Sequence, residues 1–256
     1  MTKKIFSILL LAVVCFCALF SCRKTTVSTA DATLNYFPLQ LGKYITYNVD
    51  SIYYYSANCT QYEAKSQMKY AIDDTFTDQY KRLSYVMDVF TRPFDNNSGV
   101  WVHNSVILIT PTITPPLTLS DPTTISLLYS QDQAQYVKLI FPISNGYSWY
   151  GNQYINTQNP LFTYLSNWNY YYKNFQLSYN TGYINFANTV TVLEDSEAVN
   201  YPAIDSNISS YLTYAEEVYA DNVGMVHKQW THWTYKPSPV ICRDGYQVVM
   251  DAIDHN

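Results

Sequence analysis

Glycine and positive charge are what this chain has little of. Seven glycines in 256 residues exclude a fold whose turns depend mainly on glycine, so Asn, Asp and Ser must make turns by hydrogen-bonding their own backbone. Charged residues reach only 14%, with 15 basic against 20 acidic side chains, and no basic patch offsets the balance. That distribution excludes a nucleic-acid partner, which would need a cationic face for the phosphates. No apolar run reaches the ~20 residues of a spanning helix, and no repeat of fixed period divides the chain. Sustained helical periodicity is also missing. Absent too are His-Glu-x-x-His, paired Cys-x-x-Cys, the Gly-x-Ser-x-Gly elbow and a phosphate-cradling glycine loop, so no short catalytic or metal motif stands in the sequence. No cofactor and no metal are expected.

What is there begins with an export signal. Lys3 and Lys4 precede an uncharged apolar stretch from Ile5 to Phe20, the layout of a secretory signal peptide. It ends in Leu19-Phe20-Ser21-Cys22, which resembles the lipobox of bacterial lipoproteins. The resemblance implies cleavage after residue 21 and diacylglycerol on Cys22, the membrane then being met through N-terminal lipid. Several acyl chains hold a protein on a bilayer where one does not. The alternative is an ordinary cleavage site with an incidental cysteine. The expected division is a signal peptide at 1–21, a flexible tether at 22–35 and a single β-rich domain at 36–256. Cleavage removes Lys3 and Lys4 and moves the net charge from −5 to −7.

Cys15 and Cys17 leave with the signal, so Cys59 and Cys242 are the cysteines of the domain. Disulfides persist in exported proteins, and Cys59 closes the first expected strand while Cys242 opens the last. A Cys59–Cys242 bridge is expected if those strands are antiparallel neighbours; two free buried thiols are the alternative.

Tyrosine, at 27 residues, is a residue of half-buried pleated surfaces, and period-2 alternation recurs along the chain. Ile45, Tyr47 and Val49 alternate with polar residues, as do Met68 to Phe76 and Leu83 to Val89, with Asp78-Gln79-Tyr80-Lys81 as a hairpin connection. Further strands are expected at Val100–Thr110, Ala134–Phe141, Tyr183–Leu193, Met225–Tyr235 and Tyr246–Asp254. Asp205–Tyr219 fits both periods and is read as a strand turning at Asp221-Asn222-Val223-Gly224. Pro111, Pro115, Pro116 and Pro122 predict a loop over 111–123. The fold class is all-β, mainly antiparallel, as a curved sheet or closed β-barrel, because one-sided strands without helices must bury their faces on each other.

Three segments carry a resemblance. Asn35-Tyr36-Phe37-Pro38-Leu39-Gln40-Leu41-Gly42-Lys43-Tyr44-Ile45-Thr46-Tyr47 is similar to the opening of a set of uncharacterised Bacteroidota lipoproteins. Phe141-Pro142-Ile143 with Trp149-Tyr150-Gly151-Asn152, and Glu217 to Val226, resemble the same set. The resemblance implies a lipid-anchored envelope protein and no established activity. Surface-exposed lipoproteins of such bacteria carry acidic residues after the cysteine, whereas Arg23-Lys24 stand here. That implies an outer-membrane lipoprotein facing the periplasm.

Chemistry is sparse. His227 and His232 are an odd number apart on one strand and face opposite sides, against a shared ion. Asp73-Asp74 and Glu216-Glu217 could serve a glycosidase only if one member of each faced a common cleft. The aromatic groups around Trp149, Tyr150 and Trp168, and around Trp230 and Trp233, are either core packing or rings exposed to a ligand. The leading expectation is a non-enzymatic envelope module binding an apolar ligand or a protein partner. A carbohydrate-binding module using those rings, and a hydrolase built on an unidentified carboxylate pair, are the alternatives.

Overall fold

The computed structural model describes residues 34–94, 99–115, 124–131, 134–201, 207–237 and 242–256. The signal segment, Cys22 and nearly all of the expected tether lie outside them.

Among the described residues twelve strands form one antiparallel sheet. They are β1 (Tyr44–Tyr55), β2 (Thr60–Thr77), β3 (Leu83–Pro93), β4 (Val102–Thr114), β5 (Thr124–Gln131), β6 (Ala134–Phe141), β7 (Ser148–Trp149), β8 (Tyr170–Asn180), β9 (Asn185–Val199), β10 (Ser210–Ala220), β11 (Gly224–Lys236) and β12 (Cys242–His255). Their order is β6-β5-β4-β3-β2-β1-β12-β11-β10-β9-β8-β7. The chain therefore starts mid-sheet, walks out to β6, crosses to the far edge and walks back until β12 pairs with β1.

The sheet is curved but its ladder does not close into the barrel that was the other expectation. β7 is two residues long, too short to carry a ladder onward to β6. The seam between the edges is stitched by single bonds instead. Val137 N donates to Gly151 O at 2.7 Å, Trp149 Nε1 to Val137 O at 2.7 Å, and Tyr172 Oη both donates to Ile140 O and accepts from Ile140 N. Gly151 has no substitute here, since a Cβ would stand 2.4 Å from the buried Tyr170 ring.

Period-2 alternation selects the concave face, where Tyr47, Val49, Met87, Ile107, Ile109, Leu127, Leu139, Val192 and Val218 are buried. One end of that face is plugged by the segment before β1. Phe37 packs on Tyr219 with ring centroids 6.1 Å apart, Tyr36 Oη donates to Asn188 Oδ1, and Asn222 N donates to Asn35 O. The first and third resemblance segments thus meet in the structure as a plug and its socket. Gly224, at φ +115°, lets Ile45 approach to within 3.2 Å of where a Cβ would be. A cavity of about 40 Å³ remains beneath the plug, room for a few water molecules only.

Turns follow from the scarcity of glycine: Asn167, Asn200 and Asn222 take positive φ, a conformation asparagine tolerates. The loop expected over 111–123 starts later, because β4 continues through Pro111 to Thr114. Register with β3 ends at Ile109, so the missing N–H of Pro111 falls where that side of β4 has no ladder to feed. Residues 116–123 lie outside the described ones. Asp205–Tyr219 is a strand from Ser210 onward.

Candidate functional site

A buried cluster of charged side chains stands on the concave face, and two β-bulges put it there. Val137 faces Leu128 while Leu139 faces Leu127, leaving Lys138 as the extra residue of β6. Leu193 faces Glu216 while Asp195 faces Ala215, leaving Glu194 as the extra residue of β9. A bulge re-aims the side chain it inserts. Here both point inward, and Lys138 Nζ donates to Glu194 Oε1 at 2.5 Å and to Glu217 Oε1 at 2.9 Å. Lys228, directly across from Glu217 on β11, adds an ion pair at 3.2 Å, and Tyr219 Oη donates to Glu217 Oε2. All but Lys228 are essentially closed to solvent.

Burial and the neighbouring Glu217 push the Glu194 carboxyl up, to about 7. Burial acts on Glu217 too, but Lys138, Lys228 and the Tyr219 hydroxyl outweigh it and hold the carboxyl well below its usual range. Burial opposes the charge on Lys138, yet the two carboxylates more than offset it and its pKa is raised. This arrangement is a structural lock: its carboxylates are engaged by Lys138, Lys228 and the Tyr219 hydroxyl, and the cavity that touches Glu217, about 40 Å³, has room for a few water molecules only. The adjacent pair Glu216-Glu217 splits as strand geometry demands, with Glu216 on the other face beside Lys173. Asp73 is likewise a bulge residue on β2, and both it and Asp74 are exposed.

The concave face opens at the end opposite the plug. There a groove of about 540 Å³ is lined by Asp195, Glu197, Tyr211, Thr213 and His232, with Tyr164, Ser166, Asn167 and Trp168 forming its other wall. These four come from the segment around the 3₁₀ turn Thr163–Leu165, which lies over β11. Tyr164 stacks on His232 at 4.1 Å, and Trp168 packs on Trp230 at 5.6 Å. Tyr211 Oη donates to Glu197 Oε1, and Thr213 Oγ1 and His232 Nδ1 are 3.0 Å apart. Burial, then repulsion from Glu197, pushes the Asp195 carboxyl up to about 6, and burial lowers His232. A carboxyl raised in the fold weakens stability as pH climbs from its unfolded value near 4 toward 6, because the native state holds the proton longer.

Cys59 and Cys242 are joined, with Cα atoms 5.3 Å apart. Trp149, Trp168 and Trp233 are buried and Trp230 is half-buried, so of the two alternatives for these rings core packing is the one found: cross-strand and loop packing covers their faces. Only Tyr150 of that set is well exposed, at 67%, and it lines a smaller recess beside the groove. His227 faces Asp251 at 2.7 Å and does not meet His232. Lys138, Glu194, Asp195 and Glu197 went unnoticed in the sequence, and the sole signal for the first two was a charge interrupting an apolar run, Val137-Lys138-Leu139 and Val192-Leu193-Glu194. Cys22 lies outside the described residues.

No protein-family model matches the chain, and no curated protein matches it. Among solved structures it is similar to a Bacteroides fragilis protein described as exported and as having a YmcC-like fold, at 12% identity and a TM-score of 0.35. A Parabacteroides distasonis protein described as a lipoprotein is similar at 14% identity and a TM-score of 0.32. In both comparisons 86% of this chain and 98% of the other are covered.

Proposed function

We propose that the chain is a lipid-anchored envelope protein that works as a non-enzymatic binding module, with its ligand in the groove at the open end of the concave face. The groove supports this reading: hydrogen-bonding, titratable and aromatic groups converge there, while the opposite end is plugged. Its carboxylates, Asp195 and Glu197, stand two residues apart on one strand. Among the described residues no lining side chain supplies a second carboxyl across the gap, as hydrolysis of a glycosidic bond requires, so binding is favoured over catalysis. No Lys or Arg among the described residues lines the groove, which fits a polar ligand carrying a positive charge. The signal layout and Cys22 support the anchor, and the bridge fits an oxidising compartment.

Saturation-transfer NMR on the full chain in detergent, with glucosamine, choline and lysine at millimolar concentration, tests the groove. At least one should receive saturation from the wild type and lose it in Ser166→Trp, an exposed position where an indole narrows the opening. No transfer to any of them, or transfer unchanged in Ser166→Trp, overturns the site. For the anchor, Cys22→Ser should leave an unprocessed or soluble chain; membrane retention identical to wild type refutes it.

A further inference from the structure

The sheet register aligns residues that are remote in sequence. Tyr53 on β1 faces Tyr62 on β2 and Tyr246 on β12. Tyr246 faces His232 on β11, His232 faces Thr213 on β10, and Thr213 faces Glu197 on β9. Directly opposed residues of antiparallel strands share a face, and Tyr53 lies on the same side of β1 as the buried Tyr47 and Val49. The result is one row across six adjacent strands on the concave side. At about 4.8 Å per strand it runs for roughly 24 Å. Tyr62 is 58% and Tyr53 37% exposed; Tyr246 and His232 are half-buried, and Tyr246 is held by a Tyr164 hydroxyl 3.1 Å away. The row leads from exposed phenol rings into the groove and ends at its carboxylates.

We infer that this row is a track for an oligosaccharide of pyranose units, with a cationic amino sugar seated at the Glu197 and Asp195 end. The inference rests on the groove reading and names its ligand class. Ring faces at strand spacing suit the apolar C–H faces of successive sugars, with Tyr164, stacked over His232 and lining the groove, standing as the ring at that position, while Tyr and Thr213 hydroxyls suit those of the sugar. An extended peptide is a poorer occupant, because backbone capture needs a free sheet edge and the row crosses strands paired on both sides. An acyl chain would have to desolvate two carboxylates without compensation.

The test titrates the full chain in detergent with glucosamine hexamer and with its fully N-acetylated counterpart, by calorimetry. Wild type should bind both, the free amine form more tightly. Tyr53→Ala and Tyr62→Ala, at exposed rings whose loss leaves the core intact, should each weaken both at least tenfold. Asp195→Asn with Glu197→Gln should weaken only the amine form, by a similar factor. Hexamer affinity equal to that of the glucosamine monomer and indifferent to the Tyr variants overturns the track while leaving groove binding standing. Hexalysine binding with the same dependence on Tyr53 and Tyr62 overturns it in favour of a peptide.

Discussion

Lys138→Met lowers the unfolding free energy by about 3–5 kcal/mol, the range seen when one partner of a buried ion pair is removed. For a domain of this size that corresponds to a fall of roughly 10 °C in Tm. The reason lies in what remains. Glu194 and Glu217 are both buried, and with Lys138 gone Lys228, paired with Glu217, is the one cation left beside them among the described residues. One carboxyl must then take up a proton, and Glu194, already raised, is the one that does. The native variant holds that proton above the pH at which the unfolded chain releases it, so its deficit is smallest in acid and grows as pH rises past about 4.5. Adding Glu194→Leu to Lys138→Met recovers most of the loss, since an apolar pair of similar volume carries no unpaired charge while Glu217 keeps Lys228 and the Tyr219 hydroxyl as partners. Urea midpoints at pH 5 and pH 8 measure all of this. A Lys138→Met midpoint equal to wild type at both would show that the lock contributes nothing.

The bulges that build this lock also explain which parts of the fold could be read in advance. β1, β11 and β12 were legible because alternation survives over most of their length, the bulges of β11 and β12 falling near a strand end, while β6 was legible as a short run rich in apolar residues despite its bulge at Lys138. β5 and β8 escaped. β5 is itself regular, its partner β6 carrying the extra residue, but Leu127 and Leu128 are both buried and break its alternation; β8 is irregular on either side of Leu177, with Asn174 and Gln176 at positive φ. Each slip reverses the faces of the residues beyond it, so a period-2 pattern dissolves within a few positions. Lys138 and Glu194 are hidden for the same reason: at a regular position each would have broken the apolar pattern, whereas at a bulge each is the inserted residue. The tyrosine row was illegible on other grounds. Tyr53, Tyr62 and Tyr246 alternate correctly in their own strands, but their alignment is a property of pairing between distant segments, which no local pattern records. The bridge was readable because two cysteines allow one pairing, and the order in which their strands occur left a single geometry to satisfy.

That bridge carries the second large effect. Cys59→Ser with Cys242→Ser frees a loop of 183 residues, and the chain-entropy model puts the loss at about 5 kcal/mol. The damage should be local before it is global. The bridge sits where β1 leaves and β12 enters the sheet, and Ser56 with Asp244 supplies the side-chain bonds beside it. One residue on, β12 runs close against β11: a Cβ on Gly245, at φ +136°, would stand 2.2 Å from His232 O. Hydrogen exchange should therefore quicken first at Tyr53–Tyr55 and Arg243–Tyr246, while buried strands such as β9 keep their protection until the whole sheet unfolds. Tyr53 and Tyr246 are opposed members of the aromatic row, so the same variant should bind glucosamine hexamer more weakly at temperatures where it is still folded. Equal urea midpoints for wild type with and without reductant, together with unchanged exchange at Tyr53, would show that the β1–β12 ladder holds this end of the sheet without the covalent link.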